Sequence, residues 1–322
     1  MKVCILGGGG CFALNFARLC EERKIEHFGI GRSNRLPPFW VVDHDYRYST
    51  IHLVEEYPIL LRTLEQEKPD VIVNFAAQGE GAASFFQNAP DFFRTNTYGL
   101  SRLVVGLLDK KWLKRFIHIG SSEVYGSVEK PSKETDLLNP SSPYAISKAA
   151  FDQYLQTMWK LYAFPINIVR PSNCYTPGQQ LHRVIPRTIL CALSGKKLKL
   201  EGGGKARKSY LHATDLSKAI LDVLDKGTLG KIYNVGPISP ISIRALVEHI
   251  AEKCGVPFEA LAEDAPDRVG QDAQYHLDST EIARDCFWTP TINLSRGLDT
   301  MVEWVKKYPE LLTYETTYRH RI

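Results

Sequence analysis

The chain has 322 residues, of which 44% are hydrophobic and 24% charged, a composition typical of a globular protein with one large or two moderate domains. Its formal net charge of +4 comes without a Lys- and Arg-rich run, so the sequence does not indicate a nucleic-acid-binding surface. The first residues form too short an apolar segment for a signal peptide, and no stretch approaches the roughly 18 apolar residues of a membrane span, so we expect a cytoplasmic protein with no membrane partner.

Short apolar runs alternate with segments of helical length along most of the chain. Continuous runs of this kind are typical of parallel strands that are buried on both faces of a sheet. They lie at Val3–Leu6, Phe28–Ile30, Val71–Phe75, Phe116–Ile119, Ile166–Val169 and Ile232–Val235. The alternation predicts an α/β fold with a Rossmann-type, doubly wound parallel sheet.

Proline and glycine cluster after residue 172, where this alternation breaks, in "RPSNCYTPGQQ" and "LEGGGKARKS". The change in composition predicts a smaller C-terminal α/β domain that is interleaved with the first. We expect residues 1–172 and about 208–235 to form a dinucleotide-binding domain, and about 173–207 together with 236–322 to form a substrate-binding domain.

Four consecutive glycines, Gly7 to Gly10, follow the first predicted strand and precede a predicted helix that ends near Arg23. They give the overlapping patterns Gly7-x-x-Gly10-x-x-Ala13 and Gly8-x-Gly10-x-x-Ala13. A dinucleotide-binding fold needs a tight turn here, a backbone that approaches the pyrophosphate, and a helix N-terminus that faces the phosphates. The position favours dinucleotide binding over a purely structural turn.

The end of the second predicted strand bears on the choice of cofactor. An acidic residue there would bind the ribose 2′-hydroxyl of NAD, but the chain has Gly31 followed by Arg32, with Arg35 nearby. These arginines favour the 2′-phosphate of NADP, with NAD and a solvated basic loop as the alternatives. We expect Asp45 in "VVDHDYR" either to contact the adenine of the cofactor or to lie in a surface turn.

Two stretches carry residue types suited to oxidation of an alcohol. "FIHIGSSEVYG" places Ser121, Ser122 and Glu123 after a buried strand, and "SPYAISKAA" places Tyr144 and Lys148 on one face of a predicted helix. A lysine ammonium lowers the pKa of a nearby phenol, so Tyr144 can accept the proton of a substrate hydroxyl to which Ser121 donates a hydrogen bond. Tyrosine and lysine also occur at this spacing by chance. The serines after the buried strand and the glycine turn favour a catalytic role for Tyr144 and Lys148.

Together these motifs resemble those of the extended short-chain dehydrogenase/reductases, in particular the nucleotide-sugar epimerases and 4,6-dehydratases. The resemblance spans nearly the whole chain, through "GGGGCFA", "NFAAQ", "RTNTYG", "SSEVYG", "RPSNCYTPGQ", "KSYLHATDL" and "PDRVGQD". "AAQ", "SSEVYG" and the arginine after the second strand look most like the GDP-mannose 4,6-dehydratases. "RPSNCYTPGQQLHRVIP" and "APDRVGQDAQYHLD" look more like the dTDP-glucose 4,6-dehydratases.

The resemblance implies which residues hold a tightly bound cofactor and a nucleotide sugar. The cofactor residues are Gly7, Gly10, Cys11, Phe12, Arg32, Asp45, Tyr46, Ala76, Ala77, Gln78, Asn96, Tyr144, Lys148 and Arg170. The substrate residues are Ser84, Ser122, Glu123, Asn173, Arg187, Lys208 and Arg268. An arginine that usually binds the diphosphate is replaced by Lys208, beside Arg207, and lysine lacks the bidentate guanidinium fork.

The resemblance also implies a mechanism. Tyr144 would deprotonate the sugar 4-hydroxyl as a hydride leaves C4, and Glu123 would then remove the acidified C5 proton. Water would leave from C6, and return of the hydride to C6 would give a 4-keto-6-deoxy sugar nucleotide. Ser122 stands where the dTDP-glucose enzymes carry an aspartate, and the Ser-Glu pair also matches the UDP-glucuronate decarboxylases. A decarboxylase of that kind and a 4-epimerase of the same fold are therefore alternatives, and a non-catalytic dinucleotide sensor is an alternative of another class.

Two further expectations concern assembly and metals. Predicted helices at Leu100–Asp109 and Tyr144–Tyr162 pair with their copies in the resembling family, so we expect a homodimer through a four-helix bundle. The histidines, among them His44, His118, His182 and His212, lack metal-ligand spacing, and the seven cysteines form no Cys-x-x-Cys pair. We therefore expect no metal site.

Overall fold

The computed structural model of the chain describes residues 1–33, 47–79, 87–237, 239–267 and 272–316. Four residues that the resemblance assigns to ligand binding, Asp45, Tyr46, Ser84 and Arg268, lie outside these ranges. No helix within them is long and apolar enough to cross a membrane.

The strands are mostly short and follow the apolar runs of the sequence. In chain order they are β1 (Lys2–Leu6), β2 (Glu26–Gly31), β3 (Tyr48–Thr50), β4 (Val71–Asn74), β5 (Arg115–Ile119), β6 (Ile166–Pro171), β7 (Asn173–Tyr175), β8 (Leu198–Glu201), β9 (Arg207–Lys208), β10 (Tyr210–His212), β11 (Ile232–Val235), β12 (Ile241–Ser242) and β13 (Ala262–Ala265).

The helices connect these strands. They are α1 (Cys11–Glu22), α2 (Tyr57–Glu67), α3 (Ala89–Phe93), α4 (Leu100–Leu107), α5 (Pro143–Tyr162), α6 (Val184–Ser194), α7 (Ala213–Lys226), α8 (Ile243–Cys254), α9 (Phe258–Leu261), α10 (Thr280–Cys286) and α11 (Leu294–Lys307). A π-helical turn, Arg94–Gly99, joins α3 to α4, and a 3-10 turn, Ser122–Tyr125, follows β5.

Seven parallel strands form the central sheet in the order β3-β2-β1-β4-β5-β6-β11. Helices α1, α7 and α10 contribute side chains to the core on one face, and α2, α4 and α5 contribute to the core on the other. Burial on both faces explains why the strands are continuous apolar runs. The carboxyl ends of β1, β4 and β5 meet at one edge, where ligands bind in open α/β sheets.

The C-terminal part of the chain has cores of its own. Buried residues of α6, α8 and α11 form one, and residues around β8 and β13 form another. Three two-stranded sheets, β7 with β10, β9 with β12 and β8 with β13, connect these helices to the chain around them.

The predicted fold class is confirmed, since each of the six predicted strands lies in the central sheet. The helix predicted at Tyr144–Tyr162 is α5, which begins at Pro143, where Ser142 caps its first turn. Strand β3 was not predicted, because Tyr48–Thr50 has three residues and no apolar run.

Candidate active site

The glycine turn brings the N-terminus of α1 to the carboxyl edge of the sheet. Gly7 has φ +73°, and a Cβ there would lie 2.6 Å from the backbone nitrogen of Ala76, so a side chain would collide with the segment after β4. Gly10 is the N-cap of α1 and offers no side chain to its first N–H groups. Those donors are therefore available to a phosphate, and the turn fits a dinucleotide.

A hydrogen-bonded clamp holds the segment after β4. The backbone N–H of Gln78 donates to Asn96 Oδ1 at 2.7 Å, and Asn96 Nδ2 donates back to the Gln78 carbonyl at 3.1 Å. Asn96 Nδ2 also donates to Ser147 Oγ at 3.0 Å, which ties the clamp to α5. The buried Asn96 thus ties Gln78, at the end of this segment, to α5.

The end of β2 reaches the same segment through Arg32. Arg32 Nη1 donates to Gln78 Oε1 at 3.1 Å, and both residues line a pocket with His52 and Arg94. Asp91 also lines this pocket, and Arg94 is ion-paired with Glu55, so charges of both signs lie around Arg32. His52 and Arg94 were not predicted as site residues, because His52 stands in no quoted motif and "RTNTYG", which begins with Arg94, pointed only to Asn96.

The turn after β5 presents Glu123. Ser121, the N-cap of this turn, accepts a hydrogen bond on Oγ from the Glu123 backbone N–H at 3.2 Å. Ser121 and Ser122 are buried, whereas Glu123 is partly exposed. Glu123 is therefore the least buried of the three residues on this turn at the carboxyl end of β5.

Helix α5 places Lys148 beside this turn. Lys148 is 2% exposed, and its Nζ donates at 2.6 Å to the carbonyl of Ile119, the last residue of β5. Burial lowers the pKa of Lys148 to about 8, and the charge of Asp152 opposes this shift. Tyr144 lies one turn earlier on the helix, with its ring edge-on to Phe92 at 6.1 Å between centroids. Lys148 thus lies against the strand that leads into the Ser121 turn, and the joint catalytic role of Ser121, Tyr144 and Lys148 stays a prediction.

The other predicted ligand residues lie farther apart. Arg170 is 2% exposed and faces inward, against Asp152 and Tyr125 rather than the glycine turn. Asn173 begins β7, and Arg187 is exposed on α6. Lys208 Nζ donates to the Asp272 carbonyl at 3.1 Å and lies 3.4 Å from the centre of the Tyr275 ring.

A further cation near the site, Arg183, was also missed by sequence reasoning. Arg183 is the N-cap residue of α6, and its Nη2 lies 3.9 Å from the position of a Cβ on Gly79, just after the clamped segment. Its charge also acts on the Cys11 thiol at the start of α1. The signal in the sequence was a basic residue within "LHRVIP", but only the fold places it beside the glycine turn.

The fold and the glycine turn define a class of protein: an α/β protein of the dinucleotide-binding type. Residues 3–236 match the family model of the NAD dependent epimerase/dehydratase family. The chain belongs to this family.

Relatives from several organisms are similar over much of their length. The chain is 34% identical over 249 residues to dTDP-D-glucose 4,6-dehydratase of Mus musculus, across 76% of this chain and 69% of that protein. It is 31% identical over 264 residues to dTDP-glucose 4,6-dehydratase of Xanthomonas campestris pv. campestris (strain B100), across 76% and 75%. These relatives confirm the resemblance to nucleotide-sugar 4,6-dehydratases that the sequence motifs indicated.

Solved structures share the fold over nearly the whole chain. dTDP-glucose 4,6-dehydratase from Bacillus anthracis str. Ames in complex with NAD matches with a TM-score of 0.86 and 28% identity, over 96% of this chain and 98% of that one. UDP-glucose 4-epimerase from Thermotoga maritima matches with a TM-score of 0.87 at 22% identity, over 96% and 100%. The second match shows the fold alone.

Proposed function

We propose that this protein is a nucleotide-sugar 4,6-dehydratase that converts an NDP-hexose to an NDP-4-keto-6-deoxyhexose. One observation carries the proposal: Glu123 stands two residues after Ser121 on the turn that faces the helix of Tyr144 and Lys148. The Lys148–Ile119 hydrogen bond of 2.6 Å holds that helix against the strand that leads into the turn. A proton acceptor for C5 is therefore next to the set that oxidises C4.

Each residue has a defined task in this reaction. Tyr144 accepts the proton of the sugar 4-hydroxyl, assisted by the charge of Lys148, while Ser121 donates a hydrogen bond to the same oxygen. When bound, a nicotinamide cofactor would supply hydride transfer, out of C4 and back to C6, which makes the reaction redox-neutral. Glu123 removes the C5 proton, which the new 4-ketone has made acidic, and passes it to the departing C6 hydroxyl, since the adjacent Ser122 is a poor general acid. The hydroxyl leaves as water. As hydride returns to C6, C5 regains a proton, which balances the proton that Tyr144 took from the 4-hydroxyl.

For the cofactor, a nicotinamide dinucleotide, we propose NADP. Arg32 follows β2 at the position where the ribose 2′-group is read, and His52 and Arg94 line the pocket beside it. A Cβ on Gly31 would lie 2.5 Å from the Tyr48 hydroxyl, so this tyrosine occupies the space that an acidic side chain at position 31 would need. The solved relative named above was crystallised with NAD, which makes NAD the competing cofactor.

We also propose a homodimer through α4 and α5. Both helices expose large apolar side chains: Val105 is 59% exposed, and Leu161 and Tyr162 are 70% and 63% exposed. Tyr98, in the π-helical turn before α4, is 55% exposed. An apolar surface shared by two adjacent helices supports burial against a second copy, in a four-helix arrangement.

We make two further proposals, about which domain binds which ligand and about where in the cell the protein lies. We assign the dinucleotide to residues 1–172 and 208–235, which include all strands of the central sheet, and the nucleotide sugar to the remaining chain. We place the protein in the cytoplasm, where its unpaired cysteines would remain reduced.

The proposed reaction is tested by its product. Purified protein is incubated with NADP or NAD and, separately, with dTDP-glucose, GDP-mannose, UDP-glucose, UDP-glucuronate and a CDP-hexose, and the products are analysed by mass spectrometry. We expect loss of water from one hexose nucleotide. Loss of carbon dioxide from UDP-glucuronate would replace the proposal with a decarboxylase. An unchanged mass with an inverted C4, detected by NMR, would replace it with a 4-epimerase.

A further inference from the structure

Four polar side chains lie on neighbouring strands beneath the candidate active site. Asn74 on β4 is the register partner of His118 on β5, and Arg170 on β6 is the partner of Asn234 on β11. Arg170 is 2% exposed, and the other three are fully buried. Strands that are buried on both faces normally carry apolar residues, and polar side chains are costly there unless they are hydrogen-bonded. We call these four residues the buried polar row.

Each end of the buried polar row is tied to a ligand-binding or catalytic segment. At one end, Asn74 Oδ1 accepts a hydrogen bond from the backbone N–H of Ala76 at 3.1 Å, in the predicted cofactor segment. At the other end, Arg170 Nη1 donates to the Tyr125 hydroxyl at 2.7 Å, and that hydroxyl donates to Asn234 Oδ1 at 2.9 Å. Tyr125 ends the turn that presents Glu123.

Asp152 on α5 joins the two halves of the row. Its Oδ2 accepts from Arg170 Nε at 2.8 Å, and its Oδ1 lies 3.7 Å from His118 Nε2. His118 Nδ1 faces the amide nitrogen of Asn74 at 2.9 Å, so Nδ1 is the acceptor and the His118 proton is on Nε2, toward Asp152. Asp152 is fully buried and stands four residues after Lys148, on the same face of the helix.

We propose that Asp152, held by Arg170, is a positioning residue whose carboxylate keeps the buried ammonium of Lys148 charged. Its relevance to catalysis rests on the proposed function, in which Lys148 supports Tyr144. The charge balance itself concerns the folded protein and requires no substrate.

The groups around Lys148 show why a carboxylate is needed. From β6, Arg170 adds a second positive charge, which is permanent because a guanidinium keeps its proton in proteins. From β5, His118 adds no charge, because burial and the charges of Lys148 and Arg170 hold its pKa well below the usual value. Glu123 and Tyr125 belong to the turn, and burial raises the pKa of the Tyr125 phenol, which therefore stays neutral.

Asp152 is thus a buried carboxylate that is paired with Arg170 and lies one helical turn from Lys148. Burial raises the pKa of Asp152, and Arg170 opposes that rise through both its charge and its hydrogen bond. Without the Asp152 charge, burial and the repulsion from Arg170 would both favour the neutral amine of Lys148. Arg170, predicted from the resemblance to bind cofactor, has in this arrangement the different task of keeping Asp152 ionised and aligned.

The test measures the protonation of Lys148 directly. Protein labelled with ¹³C at the lysine Cε is titrated by NMR in the presence of NADP, and the Lys148 resonance is assigned by its absence in Lys148→Arg. An opposite charge within about 4–6 Å shifts a pKa by about 1–3 units. We therefore expect Asp152→Asn to lower the Lys148 midpoint by about one unit or more, and an unchanged midpoint would overturn the proposal.

Two further variants separate the charge of Asp152 from the integrity of the row. Tyr125→Phe removes a hydrogen bond to the same arginine but keeps Asp152, so the midpoint should stay within about 0.3 unit, because no charge is lost. If Tyr125→Phe shifted the Lys148 midpoint as much as Asp152→Asn does, the hydrogen bonds of the buried polar row, and not the Asp152 carboxylate, would set that midpoint. Arg170→Gln removes the group that keeps Asp152 ionised, so the midpoint should fall as in Asp152→Asn, which keeps the proposal testable if Asp152→Asn does not fold. A midpoint that does not fall in Arg170→Gln would contradict it.

The same variants distinguish this proposal from the proposed function. If the midpoints shift as expected but no sugar nucleotide is converted, the dehydratase assignment fails and the role of Asp152 stands. If a sugar nucleotide is dehydrated while the Asp152→Asn midpoint is unchanged, the assignment stands and the role of Asp152 is wrong.

Discussion

The backbone N–H of Glu123 donates a hydrogen bond to Ser121 Oγ at 3.2 Å. Because the serine oxygen acts as acceptor in this bond, its O–H proton can be donated to a substrate oxygen, as the proposed C4 oxidation requires. The same bond fixes the first residue of the turn that carries Glu123. One serine therefore links the oxidation site to the group that acts on C5.

Glu123→Gln should separate the two halves of the reaction. Glutamine is nearly isosteric, so binding of cofactor and sugar nucleotide should persist, whereas turnover should fall by about 10²–10⁴-fold, as for loss of a general base. On rapid mixing with the substrate found in the product screen, this variant should show the absorbance of reduced nicotinamide and no exchange of the C5 proton in heavy water.

Tyr144→Phe is the matched control for that experiment. It lacks the group that accepts the 4-hydroxyl proton, so the absorbance of reduced nicotinamide should not develop at all. Normal turnover with C5 exchange in Glu123→Gln would show that another residue is the base, and the dehydratase assignment would lose its principal support.

Arg32→Ala should remove the expected preference for NADP. A hydrogen bond to a charged group contributes about 1.5–3 kcal/mol, which corresponds to roughly 10- to 150-fold in affinity. Calorimetric titration should show NADP binding weakened by this factor and NAD binding little changed. Arg18→Ala, which removes an exposed arginine paired with Glu22 on α1, should leave both affinities as they are. Equal affinities for the two cofactors in the unmodified protein would favour NAD.

Much of the fold was predictable because its signals are local. A continuous apolar run specifies a strand buried on both faces, and glycines directly after such a run specify the turn into α1. The capping of the Glu123 turn by Ser121 is also local, since donor and acceptor are two residues apart.

Contacts between distant segments were not predictable in this way. The edge-on contact of Phe92 with Tyr144 and the ion pair of Asp152 with Arg170 depend on how α3, α5 and β6 pack together. The motif "RPSN" suggested a cofactor contact for Arg170, but the register of β6 buries its guanidinium against α5. The position of Arg183 near the site also depends on packing between distant segments, since this residue lies at the start of α6.

The exposed apolar face of α4 and α5 gives a prediction about assembly. We expect light scattering at micromolar concentration to give the mass of a dimer, and Val105→Asp combined with Leu161→Asp to give a monomer, because two charges in an apolar interface lose their hydration. Leu137→Asp is the control, since Leu137 is 92% exposed and lies in a loop outside both helices. A monomer mass for the unmodified protein would refute the proposed dimer.

The buried ammonium of Lys148 predicts an alkaline limit to the oxidation step. Its pKa is lowered from 10.5 to about 8, chiefly by burial, so the charged form predominates below that pH and is lost as the pH rises through it. The Tyr144 phenolate loses its stabilising neighbour at the same point, and the rate of C4 oxidation should therefore fall above about pH 8. We would measure this as the burst of reduced nicotinamide in Glu123→Gln, where dehydration does not obscure it. Lys148→Arg keeps its charge at every accessible pH, so any activity it retains should lack this fall. An identical decline in Lys148→Arg would assign the limit to a different group.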